Sequence, residues 1–192
     1  MSSFGMYFEL GVMHILDLEG IDHLVFILAI AAPYRFIDWK KLIILVSAFT
    51  VGHSVTLALS AFDIVRINED LVETLIPITL LITAMVNLGK TGQKLNMKLV
   101  YLLIFFFGLI HGLGFSNFFN ALMSESSEVT SALFAFNLGI EVAQIMIVLI
   151  ILIITELFNF FKPKSQKMRI IFLNGGVFFL ALQMLFEALF TI

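Results

Sequence analysis

The chain has 192 residues, of which 60% are hydrophobic and 13% charged, and its mean hydropathy is +1.07. A soluble domain carries about 25% charged residues, so most of this surface calls for lipid rather than water. The net charge of −3 offers nothing to nucleic acid, and the absence of Cys excludes disulfides and thiolate metal sites.

The N-terminus has no basic segment followed by a small-residue cleavage site, so no cleaved signal peptide is expected. Phe4, Phe8, Val12, Ile15 and Leu16 recur near helical spacing. That segment reads as an interfacial helix, a re-entrant piece or the start of a broken first span, with Asp17-Leu18-Glu19-Gly20 as the break. An apolar stretch over 21–34 follows, short for a bilayer on its own. Five longer stretches then run over 42–62, 71–88, 99–119, 131–161 and 170–192. Each approaches the roughly 20 residues needed to cross about 30 Å of hydrocarbon. The expected fold is all-α: one polytopic transmembrane bundle over 1–192, with about six spans.

Basic residues give the expected orientation. Arg35, Lys40 and Lys41, then Lys90, Lys94 and Lys98, then Lys162, Lys164, Lys167 and Arg169 occupy alternate loops. Of the basic residues, only Arg66 falls on the opposite side, among Asp63, Glu69, Asp70, Glu125 and Glu128. By the positive-inside rule, both termini lie outside the cytoplasm and the number of spans is even. Tyr34 and Trp39 sit at the cytoplasmic turn, where interfacial aromatics are expected.

Ionisable groups inside a membrane cost roughly 2.5–3.5 kcal/mol each at a helix centre on insertion scales. Here they are several, and they share a depth. Asp22 and His23 open the first span. His53 lies roughly 18 Å above Lys41, and His111 roughly 20 Å above Lys98, at 1.5 Å per residue. Gln183 and Glu187 lie roughly 21–27 Å above Arg169. Glu141 shares a helix face with Asn137 and Gln144. Singly, each has a structural reading: a packed histidine, an N-cap aspartate, a glutamate reaching the headgroups. Collectively they favour a cation site in the outer half of the bundle. Imidazole and carboxylate without thiolate suit nickel, zinc, copper or iron. Gly108 and Gly112 flank His111 and would let another helix approach closely. Ser47, Thr50, Ser54 and Thr56 put hydroxyls near His53, as packing groups or as outer partners of a site.

The segments GVMHILDLEGIDHLVFI (11–27), SAFTVGHSVTLAL (47–59), FFGLIHGLGFSNFF (106–119) and FNLGIEVAQ (136–144) resemble the HupE/UreJ family. These are small membrane proteins associated with nickel supply to hydrogenase and urease. The resemblance covers five of the six expected spans, in order. It implies functional roles for His14, Asp22, His23, His53, Ser54, His111, Gly112, Asn137, Glu141 and Gln144. In the family the first His stands closer to the Asp-His pair than here, where His14 and Asp22 are eight apart. On that spacing Asp17 is an alternative to His14.

The expected function is therefore a multi-pass permease or binding protein of the cell (inner or plasma) membrane for a divalent transition metal. Nickel is favoured by the resemblance, with zinc, cobalt, copper or iron as alternatives. The expected ligands are Asp22, His23, His53, His111 and Glu141, with His14, Asn137, Gln144 and Glu187 beside them. Lipid and metal ion are the expected partners, together with a homo-oligomeric copy or a metalloenzyme-maturation protein. The competing expectation is an intramembrane metal-dependent hydrolase, with Glu141 as general base on a metal-bound water. The chain has no HExxH motif and no nucleophile elbow to favour it.

Overall fold

The computed structural model describes residues 3–17, 20–89, 96–123, 129–161 and 166–190. Of the residues used above, Leu18, Glu19, Lys90, Lys94, Glu125, Glu128, Lys162 and Lys164 lie outside them. The described residues contain eight α-helices and no strand. These are α1 (Ser3–Leu16), α2 (Asp22–Ala31), α3 (Trp39–Ala61), α4 (Glu69–Gly89), α5 (Met97–Gly114), α6 (Ser116–Met123), α7 (Val129–Phe161) and α8 (Gln166–Phe190). Five of them, α3, α4, α5, α7 and α8, are long and apolar enough to cross a membrane.

Two apolar stretches are divided differently from the expectation. The stretch over 99–119 is two helices, because the chain turns at Phe115 and the helical ladder of α5 stops at Gly114. Asn120 in α6 then donates to the Ser60 carbonyl and hydroxyl, which pins α6 across the end of α3. The stretch over 21–34 contains a helix of only 10 residues, about 15 Å long at 1.5 Å per residue. The break before it is real at both described edges: α1 ends at Leu16, and α2 does not begin until Asp22.

Glycine decides the tightest helix contacts. On α5, a Cβ at Gly108 would stand 2.2 Å from the Phe49 carbonyl oxygen, and one at Gly112 would stand 2.3 Å from that of His53. Gly52 of α3 meets the Phe105 carbonyl in the same way, at 2.2 Å. The partner moves up α3 as the glycine moves up α5, so the two helices run in the same sense, nearly backbone to backbone. The α1–α7 contact repeats the device. Gly11 lies against Phe136 and Ile140, and Gly139 against Phe8 and Val12. Phe4 packs on Phe134, so α1 also runs in the same sense as α7.

The helices thereby share two ends. At one, Arg35 pairs with Glu156, Arg169 donates to the Tyr34 carbonyl, Gln166 donates to the Pro33 carbonyl, and the Tyr34 hydroxyl meets Met97. This end carries the described residues of the basic loops. The other end carries Glu69, Asp70 and the Asp63–Arg66 ion pair. There α3 closes in a Schellman turn, with Ile64 N–H donating to the Leu59 carbonyl and Asp63 N–H to that of Ser60. Asp63 takes the left-handed conformation, φ 58°, that such a turn needs. Its carboxyl is held below the usual range by the Arg66 guanidinium. The basic residue that departs from the charge pattern is thus neutralised by its neighbour.

Candidate metal centre

Four helices and the break between α1 and α2 bring all four histidines together. His14 comes from the last turn of α1, and Asp22 and His23 from the first residues of α2. His53 comes from the C-terminal half of α3, and His111 from the last turn of α5. Ring centroids are 4.6 Å apart for His14 and His23, 5.3 Å for His23 and His111, and 5.7 Å for His14 and His53. His14, His23 and His53 can each offer a ligand atom within 4.8 Å of the others, and so can Asp22, His23 and His111. Shifts of about an ångström would bring such atoms to the roughly 2.0–2.1 Å of a metal–imidazole bond.

Hydrogen bonding sets the tautomer of His23. His23 Nδ1 lies 3.1 Å from Asp22 Oδ1. A carboxylate only accepts, so His23 donates from Nδ1 and keeps its lone pair on Nε2. That Nε2 is buried and has no hydrogen-bond partner. On the other side, the Thr79 hydroxyl lies 2.7 Å from the Ile76 carbonyl and 3.1 Å from His111 Nε2, and His111 Nδ1 lies 3.5 Å from Asp22 Oδ2. Asp22 thus stands between two imidazoles, with one oxygen toward each.

The remaining nitrogens tell the same story. His14 Nε2 and both ring nitrogens of His53 are buried without a hydrogen bond of ordinary geometry, Asn137 being the amide beside His53. An unsatisfied buried polar atom costs about 1–3 kcal/mol, so this many in one place would be a severe liability for a merely packed core. The rings sit in an aromatic box. Phe26 and Phe49 flank His111, and Phe115 lies 4.1 Å from His14 and stacks on Phe136 at 5.0 Å. Apolar walls exclude competing water ligands and strengthen the field of Asp22.

The other expected ligands are placed as follows. Asn137 stands beside His53, with its amide nitrogen donating to the Leu133 carbonyl. Glu141 and Gln144 face α3 further toward the basic end: Glu141 accepts from Ser47, and Gln144 accepts from Thr50 at 2.9 Å. Ser54 donates back to the Thr50 carbonyl. Glu187 is exposed on α8, where it accepts from Gln183 at 3.0 Å, and it is not among the clustered groups. Thr79 is the participant that inspection of the sequence passed over. The one signal was its place two residues after Pro77, on a helix whose other threonines are Thr74 and Thr83.

No curated protein and no solved structure matches the chain. The family model described as HupE / UreJ protein matches residues 1–189. With five apolar helices long enough to cross a bilayer and a match over nearly its whole length, the chain is a multi-pass membrane protein and belongs to the HupE/UreJ family.

Proposed function

We propose that this protein is a permease for a divalent transition-metal cation, nickel(II) by preference, with His14, Asp22, His23, His53 and His111 forming the site that selects the cargo. Membership of the HupE/UreJ family carries the metal-transport theme. The observation that carries the site is the set of buried imidazole nitrogens with no hydrogen-bond partner, gathered around one carboxylate. Asp22 serves twice, orienting His23 through Oδ1 and supplying charge through Oδ2. Imidazole-rich sites of this kind favour nickel, copper or zinc over magnesium and calcium.

In this reading α1 and α2 are the two halves of one discontinuous span. Together their 14 and 10 residues rise about 36 Å at 1.5 Å per residue, enough for a bilayer. Broken spans place ion sites at the break, where unwound backbone lines a cavity rather than lipid. The bundle then has six spans with both termini outside, and the cargo arrives from the acidic side.

The test is uptake of radiolabelled nickel by proteoliposomes holding the purified protein. Uptake that saturates and is lost in His53→Ala and Asp22→Asn supports the reading. Absence of uptake of nickel, cobalt and zinc by the wild type, with a stoichiometric metal that resists chelation, sinks it and favours the hydrolase.

A further inference from the structure

Between the metal centre and the basic end, α3 and α7 face each other across a second set of polar groups that the five-residue centre does not use. Ser47 donates to Glu141 Oε1, and Thr50 donates to Gln144 Oε1 at 2.9 Å. Glu141 Oε2 is buried and has no hydrogen-bond partner. Thr50 and Gln144 are themselves buried, Gln144 at 1% exposure. On α3 these hydroxyls lie three and six residues before His53, and on α7 the two acceptors lie four and seven residues after Asn137, its neighbour. Both helices therefore put the set roughly 5–10 Å from the histidines toward the basic end.

The two sets differ in chemistry. The outer one presents imidazole nitrogens around a carboxylate, and the inner one presents a carboxylate, an amide oxygen and two hydroxyls. Oxygen donors bind a nickel-class cation more weakly than imidazole does. A carboxylate with an unused oxygen in a low-dielectric wall still attracts it strongly. A transport path needs such a step, because a single tight site releases its cargo slowly. We propose that Glu141, with Ser47, Thr50 and Gln144, forms a second, oxygen-donor cation site that receives the metal from the histidine centre and passes it inward. This rests on the permease reading above.

The test combines equilibrium nickel binding to the purified full chain with nickel uptake into proteoliposomes, for wild type, Glu141→Gln, Glu141→Asp, Ser47→Ala and His53→Ala. Wild type should bind roughly two ions per chain, one tight and one weak, since ligand sets of different donor type differ in affinity. Glu141→Gln should keep the tight ion, lose the weak one, and slow uptake by about tenfold or more, a typical cost of removing a metal-site partner. Glu141→Asp should restore part of the flux, and Ser47→Ala should weaken only the second ion. If Glu141→Gln misfolds, Ser47→Ala decides: it should weaken the second ion and leave the tight one intact.

Three results overturn the proposal. Loss of the tight ion in Glu141→Gln, as in His53→Ala, would make Glu141 a ligand of the outer centre. Unchanged uptake and weak binding in Glu141→Gln would leave the set structural. Uptake that persists but no longer responds to an imposed pH gradient would make Glu141 a proton carrier. Failure of the permease reading looks different, since wild type would then show no nickel uptake at all.

Discussion

At the scale of the residue, Asp22 is the pivot. It touches two imidazoles, and its carboxylate is largely withdrawn from solvent, at 14% side-chain exposure. A group held for function in this way destabilises the empty protein. Asp22→Asn should therefore lower nickel affinity while raising the thermal stability of the metal-free protein, by roughly 0.5–2 kcal/mol as for other relieved functional sites. Paired titration and melting of the purified variant decide this, and a fall in both quantities would mark Asp22 as a packing residue. Protons should compete with the metal, because only the neutral imidazole has a free lone pair. Nickel uptake is expected to hold above the ordinary histidine pKa of about 6.5 and to fall as the pH drops below it. A pH series on wild-type proteoliposomes, with the transmembrane gradient clamped at zero, checks the direction.

At the scale of the element, the position of each histidine depends on how closely two helices approach. His53 and His111 face one site because Gly52, Gly108 and Gly112 let α3 and α5 touch at the backbone. In lipid such contacts rely on packing rather than on the hydrophobic effect, so small residues carry them. Gly112→Ala would place a methyl 2.3 Å from both the His53 carbonyl and the Thr56 hydroxyl. It should destabilise the bundle by roughly 1–3 kcal/mol, the usual cost of overpacking. Gly176→Ala in α8 is the control, since a Cβ there meets nothing within 4 Å. Thermal unfolding in detergent should separate the two, and equal melting temperatures would refute the close-contact account. The same contacts explain the uneven legibility of the site. The Asp-His pair and the histidines of α3 and α5 were readable as polar groups of shared depth. His14 was legible only as a less central ligand, because its nearness to His23 depends on α1 lying along α7 through Gly11 and Gly139. Thr79 was hidden for a similar reason: one of three threonines in α4, it has no sequence signature until the histidine it touches is known.

At the scale of the whole molecule, the charge distribution and the proposed broken first span predict a definite topology. The chain has no native Cys, so single substitutions report accessibility cleanly. In right-side-out vesicles, Asp70→Cys should react with a membrane-impermeant maleimide, while Lys40→Cys and Lys98→Cys should react only after the membrane is opened. Labelling of all three from one side would refute the six-span arrangement. Composition and the charge pattern by themselves determined that lipid is the solvent and that the chain is a bundle of long helices. They suffice because hydropathy and loop charge add along the chain and do not depend on which helix touches which. Only the tertiary structure decided that His14 joins the cluster, that Glu141 and Gln144 stand apart on their own face of α3 and α7, and that Glu187 turns outward. Those outcomes depend on crossing points set by glycines and on the end of α1 lying beside the start of α2, and no one-dimensional pattern encodes that meeting.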